Sequence, residues 1–165
     1  MEHEAEKEFE AAKEKALRIL ERRRHTQKEL SDKLLRAGFP SDIIADVCVW
    51  AVEYGFLDDA EYARAFISDS IRYKNYGKRR IRQALLFKGI DSYIVDDVME
   101  AFDFQEGEKL AQLVGQKLGD APDRKTVERT IRHFAAKGYA FDAIKSAIAA
   151  YQEEHPSGKD DEFEQ

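Results

Sequence analysis

The side chains that most often carry catalysis or hold metals are scattered along this chain of 165 residues. The four histidines form no pair at the i, i+4 spacing that places two metal ligands on one helix face: His3, His25, His133 and His155. Cys48 is the only cysteine, which excludes an internal disulfide and a zinc–thiolate cluster. We interpret it as a buried apolar residue, because Ile44, Val47 and Ala51 would share its helix face.

Two acidic pairs, Asp58-Asp59 and Asp96-Asp97, could in principle supply an acid and a base or hold magnesium. Adjacent residues of a helix point away from each other, so we interpret Asp58 as a helix cap instead. The chain also lacks the Gly-x-x-x-x-Gly-Lys-Ser/Thr loop that holds nucleotide phosphates. The sequence therefore predicts no catalytic site, no cofactor and no metal.

Positive charge is concentrated in one segment of a chain whose net charge is −6. The segment IRYKNYGKRRIRQALLFKGI, residues 71–90, contains no acidic residue and seven basic ones: Arg72, Lys74, Lys78, Arg79, Arg80, Arg82 and Lys88. Lys78 and Arg82 are like charges at the i, i+4 spacing, which opposes helix formation unless an acidic partner relieves the repulsion. This pattern favours a partner-binding surface over a simply solvated helix face.

A second basic cluster consists of Arg22, Arg23 and Arg24. It lies near the predicted end of a helix, where cations also complement the helix dipole, so both interpretations stay open. Tyr73 and Tyr76 interleave with the basic residues of 71–90 and could stack on nucleic-acid bases or pack against their own fold. We count Tyr76 and both basic clusters as candidate contacts to a partner or to DNA.

Helix signals surround these candidates. The sequence Thr26-Gln27-Lys28-Glu29 is a capping box, in which the threonine hydroxyl and the glutamate carboxylate satisfy free N–H groups of the first helical turn. It predicts a helix that begins at Gln27 and stops at Gly38. Pro40 and Ser41 predict the start of the next helix, and Asp58 caps the one after it.

Three glycines mark an internal repeat with spacings of 51 and 49 residues: Gly38, Gly89 and Gly138. Apolar residues recur four before, six after and nine after these glycines: Leu34, Leu85 and Phe134; Ile44, Val95 and Ile144; Val47, Val98 and Ala147. A further amphipathic helix precedes each set, at residues 9–24, 59–73 and 106–118. We predict an all-α protein of three tandem three-helix repeats in an elongated, curved row, since such small units gain stability by stacking.

The repeats define the predicted domain boundaries. These are an acidic arm at residues 1–8, repeats at 9–57, 58–103 and 104–152, and an acidic flexible tail at 153–165. Residues 1–10 lack the apolar core of a signal peptide, and no run approaches the roughly 20 apolar residues of a membrane span. We therefore expect a cytoplasmic protein without membrane contact.

The segments ALRILERRRHTQKEL, GFLDDAEYARAF and GKRRIRQALLFKGIDS, in this order, resemble the RecX family of bacterial recombinase regulators. The resemblance covers residues 16–101 and continues more weakly to residue 151. Its matching positions are Leu20, Arg23, Glu29, Leu30, Leu34, Gly38, Asp59, Tyr62, Ala63, Gly77, Ile81, Leu85, Lys88, Gly89 and Ile90. The resemblance implies tandem three-helix repeats and no enzyme activity. It also implies binding to the filament of the RecA recombinase, lower ATP hydrolysis and strand exchange by that filament, and its disassembly.

Two alternatives remain open. Residues 27–54 look like the helix-turn-helix unit of a sequence-specific DNA-binding protein, although the second helix is rich in apolar residues and offers few side chains that read bases. The other alternative is a plain interaction scaffold, in which the arginines only form a solvated surface. Our preferred interpretation is a monomeric filament regulator that makes at most weak, sequence-independent contact with DNA.

Overall fold

The computed structural model describes residues 1–156, which form nine α-helices and no β-strand. The helices are α1 (Glu2–Arg22), α2 (Gln27–Arg36), α3 (Ser41–Glu53), α4 (Asp59–Lys74), α5 (Lys78–Phe87), α6 (Ser92–Ala101), α7 (Glu106–Leu118), α8 (Arg124–Lys137) and α9 (Phe141–Glu154). The all-α class and the three helices of each repeat are thus confirmed. None of the helices within residues 1–156 combines the length and apolar character needed to span a membrane.

The chain divides into two compact units. The first unit contains Met1–Asp69 and Arg82–Phe102, and the second contains Ser70–Ile81 and the residues from Asp103 onward. Helices α4 and α5 therefore contribute to both units. The units and the predicted repeats divide the chain differently, and the repeat boundaries stay a prediction.

The glycine period locates the core correctly. Leu34 and Leu85 are fully buried and Phe134 is 2% exposed, and Ile44, Val95 and Ile144 are buried as well. Of the third set, Val47 and Val98 are buried, whereas Ala147 is half-buried. Cys48 lies in the core of the first unit, and burial raises the pKa of its thiol, which disfavours a reactive thiolate.

The N-terminus differs from the prediction, because α1 begins at Glu2 and not at Phe9. Residues 2–8 are exposed, so packing does not explain the additional turns. Glutamate, alanine and lysine are strong helix formers, and Glu2 and Glu4 complement the dipole at the helix start. At the other end, α9 continues to Glu154, and residues 157–165 of the predicted tail lie outside the described residues.

Thr26 caps α2, as predicted, but only half of the capping box forms. Its hydroxyl accepts a hydrogen bond from the Glu29 N–H at 3.2 Å and donates one to the Lys88 carbonyl at 2.9 Å. The Glu29 carboxylate, expected to bond the Thr26 N–H, contacts the side chains of Arg23 and Lys88 instead. The two cations stabilise it more strongly than a single neutral amide would.

Two of the repeat glycines also allow a helix start to approach a helix end. Within the first unit, a Cβ on Gly89 would collide with the side chain of Lys28, near the start of α2. Within the second unit, a Cβ on Gly138 would collide with the backbone of Arg80, in the first turn of α5. The same kind of helix-to-helix contact therefore occurs once in each unit.

Candidate basic interface

The first turn of α5 is held by the end of α8 within the second unit. The Gly77 N–H donates to the Lys137 carbonyl at 2.8 Å, and the Arg79 N–H donates to the Gly138 carbonyl at 3.2 Å. These bonds satisfy N–H groups that a helix start leaves free. The backbone that carries the predicted basic residues 78–80 is consequently fixed, while their side chains remain exposed.

Tyr76 lies at the centre of a cluster of cations. The Arg80 guanidinium is 4.0 Å from the centroid of the Tyr76 ring, and the ammonium groups of Lys137 and Lys74 are 5.3 and 5.6 Å from it. Arg80 also donates to the carbonyl of Ala136 at 3.1 Å. The ring already binds cations of its own chain, so Tyr76 and Arg80 serve the packing of the second unit.

Lys78 and Arg82, the like-charged pair noted in the sequence, each have an acidic neighbour in the fold. The Lys78 ammonium is 3.8 Å from the Glu106 carboxylate, in the second unit. Arg82 contacts Asp96 at 3.0 Å, in the first unit. Such exposed pairs stabilise a protein by about 0–1 kcal/mol. The repulsion that the sequence indicates is thus relieved within the chain, and these contacts are weak enough to exchange for an external partner.

In the first unit, Arg23 and Lys88 share the carboxylate of Glu29. Its oxygens are 2.8 Å from the Arg23 guanidinium and 3.7 Å from the Lys88 ammonium. The Lys88 ammonium also lies 5.7 Å from the centroid of the Tyr62 ring and 5.6 Å from that of Phe66. These two cations therefore contribute to the internal packing of the first unit.

The remaining predicted arginines have no acidic partner within the described residues. Within residues 1–156, no hydrogen bond or ion pair is made by the side chains of Arg22, Arg24, Arg72 and Arg79. Arg72 does lie beside Tyr73, with its guanidinium 5.4 Å from the ring centroid. Arg72 and Arg79 belong to the second unit and, like Lys74, have no acidic partner within the described residues.

A basic helix was missed in the sequence. Helix α8 has five basic residues and one acidic residue, Glu128: Arg124, Lys125, Arg129, Arg132 and Lys137. Glu128 pairs with Arg124, whereas Lys125, Arg129 and Arg132 form no ion pair within the described residues. The excess of basic residues was the available signal, but Glu128 and two threonines interrupt it. The described part of the chain has no cluster of metal-binding side chains.

The comparison with protein families identifies two matching segments. The first three-helix domain of RecX matches residues 12–49, and the second three-helix domain of RecX matches residues 58–99. Both matches overlap the region where the sequence motifs occur.

Full-length relatives extend the similarity. The "Regulatory protein RecX" of Vibrio campbellii is 33% identical over 147 residues, covering 87% of this chain and 94% of the relative. That of Clostridium botulinum is 30% identical over 143 residues, covering 82% of this chain and 66% of the relative. The chain thus spans somewhat less than two thirds of the clostridial protein.

Solved structures show the same fold. The crystal structure of RecX from Lactobacillus salivarius superposes with a TM-score of 0.79 at 22% identity, covering 88% of this chain and 97% of that one. A second crystal structure of a regulatory protein RecX gives a TM-score of 0.74 at 21% identity and covers 86% of this chain and 73% of that one. From the sequence relatives, this chain belongs to the RecX family of regulatory proteins.

Proposed function

We propose that this protein binds the nucleoprotein filament of the bacterial RecA recombinase, lowers its ATP hydrolysis and strand exchange, and favours its disassembly. Family membership supports a regulatory role. The observation that carries the finer proposal is the exposed pair Arg72 and Arg79, which have no acidic partner within residues 1–156. Uncompensated guanidinium groups are suited to binding carboxylates or phosphates bidentately.

The regulator does no chemistry in this mechanism. Its cations bind acidic groups that one state of the filament presents better than another, and the difference in affinity shifts the filament toward that state. If the favoured state hydrolyses ATP slowly, the activity of the filament falls. A ligand that binds 10-fold more tightly to one state shifts the equilibrium by about 1.4 kcal/mol.

The helix-turn-helix alternative has less support. In such a unit the second helix enters the major groove and reads base edges. Here the second helix is α3, which contains Asp42, Asp46 and Glu53 and no basic residue. Its charge would oppose close approach to phosphates.

The direct test is the DNA-stimulated ATP hydrolysis of RecA, measured while this protein is added at concentrations well below that of RecA. We expect a dose-dependent loss of hydrolysis. The double variant Arg72→Gln/Arg79→Gln should shift the inhibition curve to higher concentration, because it removes two uncompensated charges and leaves the Tyr76 cluster intact.

The matched control is Lys15→Gln/Arg36→Gln, which removes two exposed charges that also have no ion pair within the described residues. It should inhibit like the unmodified protein. Equal curves for both double variants would exclude Arg72 and Arg79 from the interface. Failure of the unmodified protein to inhibit an assembled filament would overturn the proposed function.

A further inference from the structure

A pocket of about 330 Å³ lies between α7, α8 and the residue that follows α4, within the second unit. Its polar lining consists of amides, two lysines and a histidine: Asn75, Gln116, Lys117, His133 and Lys137. Leu113 and Phe134 supply the apolar part of its wall. None of the described residues that line the pocket carries a carboxylate, although the chain as a whole is acidic.

The two lysines bring positive charge that the described residues do not neutralise. Lys117 is exposed and has no ion pair within them. The Lys137 ammonium donates to the carbonyl of Lys74 at 3.1 Å, which fixes its position without cancelling its charge. The pocket therefore has one fixed and one adaptable ammonium group.

His133 lines the same pocket and is acted on by both charges. Burial lowers its pKa, and the positive charges of Lys117 and Lys137 lower it further. A neutral imidazole still offers one N–H donor. The electrostatic potential at His133 is thus positive, and an anion bound in the pocket would lower it.

Asn75 reaches the pocket from a backbone with φ of 55°, in the left-handed region. Asparagine enters this region more readily than most residues, because its short polar side chain bonds locally. This residue adds one more amide to the polar groups that line the pocket.

The surface of α8 continues the positive charge. Lys125, Arg129 and Arg132 recur at i, i+4 and i+7, which places them on one helix face. His133 lies one helical turn after Arg129, at i+4, and so borders this face. An extended polyanion in the pocket would therefore have further cations along the same helix.

We propose that this pocket binds a phosphate group of a nucleic-acid backbone. Lysine ammonium groups and side-chain amides are frequent phosphate ligands. Lysine binds phosphate as a point charge, and the basic residues along α8 suit a chain of regularly spaced phosphates, so a nucleic-acid backbone fits this surface. The site is separate from Arg72 and Arg79 and does not depend on RecA.

The test uses the full chain and a single-stranded oligothymidylate of eight nucleotides, with binding followed by fluorescence anisotropy across a range of salt concentrations. The variant Lys117→Gln should lower the steepness of log K against log salt by about 0.7, the value of one phosphate contact to a single strand. Lys117→Arg should keep the steepness of the unmodified protein.

The matched control is Lys145→Gln, which removes one exposed lysine of α9 in the same unit, outside the pocket. It should leave the steepness unchanged. Equal steepness in Lys117→Gln and Lys145→Gln would overturn the proposal.

The ring signals of His133, recorded by NMR, give a second measurement at the pocket itself. They should shift saturably with the oligonucleotide and far less with a polyglutamate of equal charge. A stronger response to polyglutamate would also overturn the proposal and would indicate an acidic protein segment as the occupant.

Discussion

Thr26 and Lys88 are 62 residues apart in the sequence, and the hydroxyl of Thr26 donates a hydrogen bond to the carbonyl of Lys88 at 2.9 Å. The same hydroxyl caps α2 by accepting from the N–H of Glu29. One buried side chain therefore serves both the local helix start and a long-range contact of the first unit.

Replacing Thr26 by valine should lower the free energy of unfolding by about 2 kcal/mol, because the shape is kept while the cap and the bond to Lys88 are both lost. Thr26→Ser is the control, since it keeps the hydroxyl. Urea denaturation followed by circular dichroism measures both. A valine variant as stable as the serine variant would contradict the dual role.

Gly138→Ala should destabilise the protein by about 3 kcal/mol, from a left-handed backbone and a collision with the backbone of Arg80. Gly38→Ala is the matched control, because Gly38 has a similar φ of 94° but nothing within 4 Å of an added Cβ. It should cost only about 1 kcal/mol. Equal losses of stability would show that the backbone conformation alone matters.

Arg80→Gln should lower the free energy of unfolding by about 1 kcal/mol, through loss of the contact to Tyr76 and of the bond to Ala136. Arg79→Gln should change it by less than about 0.5 kcal/mol, because no side-chain bond within the described residues is lost. Thermal or chemical denaturation tests this difference. The opposite ranking would assign Arg80 to the surface and Arg79 to the fold.

The stability of the first unit should fall in mild acid because of His25. Its Nδ1 lies 2.8 Å from the carbonyl of Arg23, which can only accept, so Nδ1 carries the proton. Its Nε2 lies 2.8 Å from the Lys33 ammonium and accepts from it. Protonation would abolish that acceptor and place a third cation beside Arg23 and Lys33.

Burial lowers the pKa of His25 below 6.5, and the charges of Arg23 and Lys33 lower it further, against opposing effects of the Arg23 carbonyl and Glu29. The unfolded chain therefore binds a proton more readily than the folded one. Stability is fully present above pH 6.5 and is lost as the pH falls below it toward the pKa of the folded state. Urea midpoints at pH 8.0 and 5.5 should differ more for the unmodified protein than for His25→Asn, and equal differences would contradict this role.

Local signals in the sequence predicted the helices well. Thr26 and Asp58 cap the helices that they were expected to cap, and the core positions follow the three glycines. Each signal depends on residues a few positions apart, so it can be recognised without knowledge of the fold. The start of α1 was missed because its first turns have no apolar stripe and are formed by intrinsic propensity.

The roles of individual charges could not be predicted in the same way. The sequence shows Arg79 and Arg80 as adjacent, equivalent cations, yet only Arg80 binds Tyr76 and Ala136. The Glu29 carboxylate was expected to bond the start of its own helix. It contacts Lys88 instead, which lies far away in the sequence and close in the fold. Such assignments depend on tertiary contacts, which charge patterns do not encode.

The close approach of Gly77 and Gly138 limits which sequences this fold accepts. A Cβ on Gly77 would lie 2.6 Å from the carbonyl carbon of Gly138, while a Cβ on Gly138 would meet Arg80. The obstacles are different atoms, so enlarging one residue cannot be rescued by changing the other. In a randomised library selected for folded protein, both positions should retain glycine independently, whereas position 38 should also accept asparagine.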